Sequence, residues 1–415
     1  MTSPLLPILN DVRSKFAHVA TCPLSGPRVF FENAGGALTL NSVVDTSAKF
    51  AAIPDNQGRA NDGAKALVEI IRQAKADTKV FLGTKEGQIF VGESGTELLF
   101  RLIRTAVMGT KTGAVIGSTI EHPASRSAAQ HWAKHANLDY ISVAHDDATG
   151  TVSPQAYGAQ MREDVTVATI LHTSPVTGMT NDVAGIVQAI RTVSPDTYII
   201  VDGIQHASHG GIDITDMDID GYVISPYKVF SRHGYGVAWA SDRLSQLPLE
   251  SLLNGPAETW ELGTRDTGAY ATMADVVAYF DWLGSQVSDA PSRRKRIEAA
   301  GQAIHAHEKT LTDAMLYGTG NLPGLTEIPG VTIIGGVDNP AREGLVCFAM
   351  DDLSAADIVD KLNGQGIRTH TRKADHYSGN VLTPIGLDSA VRVSMCHYNT
   401  LEEVAAFLSA MKTMA

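Results

Sequence analysis

The chain has 415 residues, of which 44% are hydrophobic and 19% charged, a composition typical of soluble globular enzymes. This length predicts a large core, divided between one large and one small domain. Acidic side chains outnumber basic ones by 45 to 33, and the formal charge of −12 argues against a general surface for nucleic acids or acidic membranes.

The amino-terminal segment and the cysteines indicate where the protein works. The first residues lack a basic region, and Pro4 and Pro7 interrupt their short apolar run, so we expect neither a signal peptide nor a membrane span. Cys22, Cys347 and Cys396 are widely spaced and include no C-x-x-C pair. This spacing fits neither a disulfide framework nor a zinc knuckle and favours a reducing cytoplasm.

Helical and strand patterns alternate along the chain. We expect a short helix at Asp11–Ala20, capped by Asn10, and an amphipathic helix at 63–82. Further helices are expected from the segment 92–97 to Val107, from Ser125, at 185–193, at 270–287 and at 293–315. Short apolar runs predict strands at 29–31, 89–91, 114–117, 138–143, 167–171, 198–201, 222–224 and 237–239. The alternation indicates an α/β fold with a mostly parallel sheet. Three more strands (331–334, 344–350 and 391–395) alternate with helices at 355–363 and 401–411, which predicts a small α/β domain.

One carboxylate and one amine follow two neighbouring strands of this pattern. Asp202 ends the strand 198–201, and Lys228 lies shortly after the strand 222–224. Ligands of open α/β sheets bind beyond the carboxyl ends of the strands. A lysine amine forms a Schiff base with an aldehyde, and a buried carboxylate can hold a pyridine nitrogen protonated. These are the two protein groups that pyridoxal phosphate requires, and the pair therefore predicts a site for this cofactor.

The motif D-G-x-Q at Asp202, followed after a spacer by S-x-x-K ending at Lys228, resembles the class V aminotransferase family. This family includes cysteine desulfurases, selenocysteine lyases, kynureninases and isopenicillin epimerase-like proteins, and has the type I fold of pyridoxal phosphate enzymes. The resemblance implies a large domain at 36–285 with a mostly parallel, seven-stranded-type sheet and a smaller C-terminal α/β domain at 286–415. Residues 1–35 are then expected to pack with the small domain.

The resemblance also assigns roles to cofactor residues. Asp202 becomes the partner of the pyridine nitrogen, Gln205 contacts the phenolic oxygen, and Lys228 is the Schiff-base residue that later moves the α-proton. His122, in E-H-P-A, is expected to lie flat on the pyridine with its nitrogens available for proton transfer. The phosphate is assigned to Gly95, Thr96, Ser225 and Tyr227, and to Thr267, which reaches into the site of the partner subunit and thereby implies a homodimer.

Substrate residues follow from two further motifs. Arg392, in R-x-S-x-x-x-Y-N-T, matches the family's carboxylate-binding arginine, and a guanidinium suits a carboxylate because it can bind both oxygens. Ala34 and Gly35, in N-A-G-G, correspond to a segment that borders the substrate pocket.

The sequence departs from desulfurases in ways that bear on the reaction. Lys373 stands where desulfurases carry the cysteine that accepts sulfur, Pro175 replaces an asparagine near the cofactor oxygen, and Phe100 stands where desulfurases usually carry an asparagine. Tyr227 replaces a histidine and is similar to kynureninase. A basic segment made of Arg368, Arg372 and Lys373, with His370 and His376 nearby, is expected at the mouth of the pocket. It is either a solvated loop or, in our hypothesis, a site for a second anionic group of the substrate, with Arg368 as its substrate-binding residue.

The function that these patterns favour is a pyridoxal phosphate-dependent α,β-elimination of the C–S lyase type on an amino acid. Transamination and epimerisation are the alternatives within the family. An inactive cofactor-binding protein is a further alternative. A metal-dependent hydrolase built from Asp202, His206, His209 and Asp213 belongs to a different class, and its H-x-x-H pair lacks an evident remote ligand set.

Overall fold

The helices and strands of the chain are seen in a computed structural model, which describes residues 3–256 and 259–414. The strands are β1 (Thr21–Cys22), β2 (Gly26–Pro27), β3 (Val29–Phe30), β4 (Gln88–Gly92), β5 (Ala114–Ser118), β6 (Asp139–Val143), β7 (Val165–Leu171), β8 (Tyr198–Asp202), β9 (Gly221–Ile224), β10 (Gly236–Ala240), β11 (Val331–Ile333), β12 (Leu345–Met350), β13 (Ile367–Arg368), β14 (His370–Lys373) and β15 (Ser389–Ser394). The helices are α1 (Leu9–Ser14), α2 (Asn41–Ala51), α3 (Asp62–Leu82), α4 (Gly95–Thr110), α5 (Pro123–His135), α6 (Pro154–Gln160), α7 (Val183–Val193), α8 (Ile214–Met217), α9 (Asp242–Ser245), α10 (Thr267–Val287), α11 (Arg293–Tyr317), α12 (Ala355–Gly364), α13 (Gly379–Leu382) and α14 (Leu401–Lys412).

The large sheet has the strand order β4-β10-β9-β8-β7-β5-β6. Its strands are parallel except β10, which runs antiparallel to both β4 and β9. The central strands are buried along most of their length because helices cover both faces, which explains why their sequences are continuous apolar runs. The mostly parallel, seven-stranded sheet expected from the sequence is confirmed.

A second sheet, β11-β12-β15-β14, is antiparallel throughout and forms a separate apolar core with α12, α14 and part of α11. Strand β3, near the amino terminus, pairs with β13 of this region, and Phe31 packs into the same core. The segment 29–31 therefore contacts the C-terminal part of the molecule.

The first helix differs from its prediction. It spans Leu9–Ser14 instead of Asp11–Ala20, and Ile8 occupies the N-cap position assigned to Asn10. The helix cannot continue to Ala20, because His18 has a left-handed φ of 56° and Phe16 forms a bridge with Leu40. Several other elements were not predicted, among them the helices α2 and α6 and the strand β14, since their sequences mix apolar with polar residues without a clear period.

Local signals set the helices that border the large sheet. Ser94 caps α4 by accepting the Glu97 N–H at 3.1 Å, and Asp182 caps α7 through the Gly185 N–H at 2.9 Å. Helix α3 ends where Gly83 adopts a left-handed φ of 72°. No helix in residues 3–256 and 259–414 combines the length and the apolar character needed to cross a bilayer.

Candidate active site

A cavity opens where β7, β8 and β9 end. Its inner part has a volume of about 80 Å³ and its outer cleft about 540 Å³, and both are lined by His122, Pro175, Tyr227 and Lys228. The inner part is lined in addition by Ser94, Gly95, Thr96, Leu171, Asp202, Ile204, Gln205 and Ser225. Most of the residues that the sequence assigned to the cofactor therefore lie together, at the carboxyl ends of the strands.

Asp202 is the last residue of β8 and is 2% exposed. Its Oδ1 accepts the backbone N–H of Ile204 at 3.1 Å. Burial raises the pKa of Asp202 to about 6, while the Ile204 N–H and Lys228 oppose this rise. The group is thus a largely ionised carboxylate at neutral pH, almost completely buried at the wall of the inner cavity.

Lys228 lies in a short turn, Pro226–Lys228, after β9, and its Nζ donates to Oε1 of Gln205 at 3.2 Å. Burial and then the charge of Arg392 lower its pKa to about 7, although Asp202 acts in the opposite direction. A substantial fraction of the amine is therefore uncharged at neutral pH and can act as a nucleophile or as a base.

Helix α4 directs its amino-terminal end at the inner cavity. Ser94 takes up the N–H groups of Glu97 and Leu98, the latter at 3.1 Å through its backbone carbonyl, which leaves the Gly95 and Thr96 N–H groups without an intrahelical acceptor. A Cβ atom at Gly95 would come within 2.4 Å of the Ser225 Oγ. Glycine thus permits the close approach of helix and turn, and the helix end suits an anion such as a phosphate.

His122 precedes α5, and its Nδ1 accepts the Ala124 N–H at 3.2 Å. Burial, followed by the positive charge of Lys228, lowers its pKa to about 3. The imidazole is therefore neutral, with its proton on Nε2. One of the two nitrogens that the sequence left available for proton transfer is engaged as a helix cap.

Arg392 is 3% exposed on β15 and lines the outer cleft together with Ala34 and Gly35. Its Nη1 donates to the Pro175 carbonyl at 2.8 Å, but its Nε has no partner, and among the described residues it forms no ion pair. Burial and the nearby Arg372 lower its pKa to about 9. A buried guanidinium without a carboxylate is a ready site for an anion.

The residues of the basic segment 368–373 have different surroundings. Arg368 and Lys373 do not lie at the mouth of the pocket, where the sequence predicted them. Arg368 belongs to β13, which pairs with β3, and its Nε lies 3.8 Å from Glu32 without lining the cleft. Lys373 projects from the opposite face of β14 to Arg372 and is exposed. Arg372 and His370 do line the cleft, because alternation along β14 puts both on the face that carries Arg392. His370 adds no charge at neutral pH, since burial and Arg392 lower its pKa to about 4.

Three other predicted cofactor residues have defined surroundings. Gln205, Ser225 and Tyr227 line the inner cavity, and the Tyr227 ring stacks on His233 with a centroid distance of 4.4 Å. Thr267 is the first residue of α10 and does not line the cavity of its own chain. Its assignment to the site of a partner subunit stays a prediction.

The four residues of the hydrolase alternative belong to separate networks. His206 faces Glu343 at 2.8 Å, His209 faces Glu308 at 2.8 Å, and Asp213 pairs with Arg294 at 3.1 Å. In the part of the chain that the structure describes, the cluster with metal-ligand spacing is a different one, His209, Glu308 and Cys396. The hydrolase set is therefore not assembled at one point.

Sequence reasoning missed three features of the site. Glu121 is fully buried and accepts the Leu171 N–H at 2.9 Å, and burial together with Asp202 raises its pKa to about 7. Arg372 was expected at the mouth of the pocket, but the substrate role was assigned to Arg368, and the period-2 pattern of β14 could have shown that Arg372 faces the cleft. Glu308 lies 99 residues from His209 in sequence, and no local signal connects them.

The comparisons with known proteins agree with this geometry. The family model described as Aminotransferase class-V matches residues 29–407. The chain is 23% identical to "Probable cysteine desulfurase 1" of Mycobacterium leprae over 98% of its own length, but it spans only 65% of the length of that relative. It is 24% identical to "Aminotransferase-like protein FGM3" of Gibberella zeae, with 97% and 98% of the two chains covered.

The fold is similar to that of solved structures. The apo structure of a cysteine desulfurase from Thermococcus onnurineus NA1 superimposes with a TM-score of 0.80 at 20% identity, covering 100% of this chain and 98% of that one. At this identity the likeness establishes the architecture. The type I fold predicted from the sequence motifs is confirmed.

Proposed function

Because the chain belongs to the class V aminotransferase family of pyridoxal phosphate-dependent enzymes, we propose that it eliminates a β-substituent from an amino acid that carries a second anionic group. The proposal covers an α,β-elimination of the C–S lyase type. It is supported by the groups that line the cavity and by the names of the relatives, several of which are desulfurases.

The donor set of the inner cavity fits the cofactor. The start of α4, at Gly95 and Thr96, would hold the phosphate, Asp202 would hold the ring nitrogen in its protonated form, and Lys228 would meet the aldehyde. The tight contact between Gly95 and Ser225, where a Cβ has no room, matches a cradle built for a bound group. When bound, pyridoxal phosphate supplies an aldehyde that reacts with amines and a ring that withdraws electrons from the α-carbon of an amino acid.

Lys228 is the residue that moves protons. Its lowered pKa leaves a free amine at neutral pH, and it lies at the junction of the inner cavity and the outer cleft. His122 cannot take up the α-proton, because its Nδ1 already accepts a hydrogen bond and its Nε2 carries the proton. We therefore assign removal of the α-proton to Lys228 and a hydrogen-bond donor role to His122.

The observation that carries the substrate class is a pair of arginines in the outer cleft. Arg372 donates from Nε to the Ser378 Oγ at 2.7 Å and, like Arg392, forms no ion pair within the described residues. Glu32 is the single carboxylate that lines this cleft in the residues that the structure describes. Two guanidiniums on one face of β14 and β15 suit two anionic groups, with the α-carboxylate on Arg392 and the second group on Arg372.

The overall reaction balances without an oxidant or an amino acceptor. The substrate loses its α-proton and its β-substituent, which leaves with the bonding electrons and takes up a proton, and water then releases ammonia and a 2-keto acid. None of the three cysteines, all within the described residues, lines the cavity or the cleft, and burial raises the pKa of Cys347 to about 12. Sulfur transfer through a persulfide is accordingly not part of the proposal.

Product analysis separates elimination from transamination, the second candidate, which the family name and the fungal relative favour. The cofactor-loaded enzyme is incubated with single amino acids in the absence of any keto acid. We expect continuous release of ammonia and a 2-keto acid in equal amounts. Product limited to one equivalent per active site, with turnover restored by an added keto acid, would establish transamination instead.

Replacing Arg372 with alanine tests the substrate class. Hydrogen bonds to charged groups contribute about 1.5–3 kcal/mol, so KM for an acidic amino acid should rise by about 10- to 100-fold, while KM for its neutral side-chain amide stays nearly constant. Arg368→Ala is the matched control, since Arg368 is 41% exposed beside Glu32. Equal increases in KM for the acid and the amide would contradict the assignment of Arg372.

We also propose a homodimer, in which Thr267 at the start of α10 completes the phosphate site of the neighbouring chain. Light scattering should give the mass of two chains, and Thr267→Ala should weaken cofactor binding. A monomer that binds the cofactor as tightly as a dimer does would rule this out.

A further inference from the structure

A line of hydrogen bonds leads from the active-site lysine into the protein interior. Lys228 Nζ donates to Gln205 Oε1 at 3.2 Å, Gln205 Nε2 faces His209 Nε2 at 3.2 Å, and His209 Nδ1 faces a carboxylate oxygen of Glu308 at 2.8 Å. Exposure falls along this line from 9% at Lys228 to 1% at Glu308. His209 and Glu308 do not line the cavity or the cleft, and the proposed function makes no use of them.

Each hydrogen bond in this line determines which group is the donor and which the acceptor in the next one. The Gln205 amide has a donor end and an acceptor end, and the acceptor end faces the Lys228 amine. Its NH₂ group therefore points at His209 Nε2, which must be unprotonated in order to accept. The proton of the imidazole is then on Nδ1, where the Glu308 carboxylate accepts it.

If the orientation of the Gln205 amide were reversed, two hydrogen-bond donors, the Gln205 NH₂ group and the Lys228 amine, would face each other. If His209 carried a proton on Nε2, the Gln205 oxygen would turn toward it, and the NH₂ group would face the Lys228 amine. An unsatisfied or opposed donor in a buried site is costly, so the preferred arrangement depends on the protonation of the His209–Glu308 pair.

The charges around the pair come from several elements. Burial lowers the pKa of His209, but the Glu308 carboxylate and then Glu343 outweigh this and raise it, while Lys228 opposes them. Burial raises the pKa of Glu308 to about 7, and His209 opposes the rise. The Cys396 thiol lies within 4.8 Å of the pair, and the imidazole of His397, which interacts with the charge of His209, is neutral because burial keeps its pKa well below the ordinary value.

Glu308 also contacts the region that binds the substrate carboxylate. Gly344, which directly precedes β12, packs closely against Glu308, since a Cβ atom at this glycine would lie 2.7 Å from Glu308 Oε2. Strand β12 pairs with β15, in which Cys347 lies opposite Arg392. The carboxylate of Glu308 thus joins Gln205, through His209, to the sheet that carries Arg392.

We propose that His209 and Glu308 form a positioning dyad that holds the Gln205 amide with its oxygen toward Lys228. This role rests on the proposed function, because it concerns the same site, and it adds two residues that act on Lys228 only through Gln205. The dyad determines whether the oxygen or the NH₂ group of Gln205 faces Lys228 and a molecule bound to this lysine.

The test is a double-mutant cycle read from the pH midpoint of the visible band of the cofactor-loaded protein. Glu308→Gln lets the imidazole adopt either tautomer and should shift this midpoint to lower pH by at least about half a unit, since the protonated lysine site loses its acceptor. In the Gln205→Ala background the same substitution should shift it by less than about a third of that amount. Equal shifts in both backgrounds would mean that Glu308 acts through its field alone and would overturn the dyad.

Two controls keep the outcome interpretable. Glu343→Gln alters a second buried His–Glu pair, at 2.8 Å from His206, whose histidine makes no hydrogen bond to Gln205 in the described residues. Glu343→Gln should lower the melting temperature, but it should shift the pH midpoint by much less than Glu308→Gln does. His209→Gln supplies an oxygen for the Gln205 NH₂ group and should keep the wild-type midpoint, whereas His209→Leu should not. The His209 pair of variants carries the test if Glu308→Gln does not fold.

The possible failures can be told apart. A wild-type protein that binds no pyridoxal phosphate would refute the proposed function itself. A protein that binds the cofactor but gives equal shifts in both backgrounds, or the same midpoint for His209→Leu and His209→Gln, would refute the dyad alone. Stoichiometric metal in the purified protein would also refute it, because a cation among His209, Glu308 and Cys396 would occupy the atoms that the dyad needs.

Discussion

Replacement of Lys228 with alanine is expected to lower kcat by at least about 10³-fold. The variant loses the amine to which we assign both the reaction with the cofactor aldehyde and the transfer of the α-proton, and proton transfer by one side chain alone contributes about 10²- to 10⁴-fold. No other lysine lines the inner cavity or the cleft among the described residues, so no neighbour can substitute for it. Steady-state release of the keto acid measures the effect.

The matched control for this variant is Lys134→Ala, at an exposed position near the end of α5. It should retain the wild-type kcat. The Lys228→Ala protein should keep its melting temperature, because a buried amine is costly to retain in the folded state. A Lys228→Ala enzyme with more than about a tenth of the wild-type kcat would be incompatible with a catalytic lysine at this position.

The pH dependence of cofactor capture provides a second measure of the same amine. Capture requires the unprotonated form, and the pKa of Lys228 is lowered to about 7, mainly by burial and by Arg392. The rate of capture by cofactor-free protein should therefore rise with pH up to about 7 and become level above it. A lysine with the ordinary pKa would give a rate that still increases beyond about pH 10.

Replacement of Asp202 with asparagine is expected to lower kcat by about 10³-fold, which corresponds to about 4 kcal/mol of barrier. Asparagine has nearly the same shape but no charge, so the ring nitrogen would lose the anion that keeps it protonated. Cofactor binding should persist, because Lys228 and the start of α4 are unchanged. The measurement is kcat together with the fraction of protein that carries the cofactor.

Asp220→Asn is the matched control for Asp202→Asn. Asp220 is also 2% exposed, but it lies before β9, at the opposite edge of the sheet, and pairs with Arg243 at 2.5 Å. Its replacement should lower the melting temperature and leave kcat within about threefold. If both variants lowered kcat equally, the effect of Asp202→Asn would reflect general destabilisation, and its assignment to the ring nitrogen would be wrong.

The sequence predicted the centre of the site because that part depends on local patterns. Asp202 and Lys228 follow short apolar runs, and parallel strands bring their carboxyl ends to one edge, so two residues 26 positions apart could be placed together without knowledge of the rest. The start of α4 was likewise evident, since Ser94 and Glu97 are a recognisable cap.

The parts that the sequence did not predict depend on pairing between distant segments. Arg368 was placed in the cleft with its neighbours, but β13 pairs with β3, and only β14 joins the sheet that carries Arg392. The contact of His209 with Glu308 requires α11 to pass behind the cavity, which no spacing rule indicates. Tertiary pairing of this kind also shortened the first helix, in which Phe16 bridges to Leu40.

The most direct test of the whole account is borohydride treatment of the protein with pyridoxal phosphate, followed by digestion and mass spectrometry. Borohydride makes the link between an amine and an aldehyde permanent, so the label reports which lysine the cofactor uses. We predict loss of the visible band and one pyridoxyl group per chain, on the peptide that contains Lys228. A protein that stays colourless with added cofactor, or that carries the label on another lysine, would contradict the account.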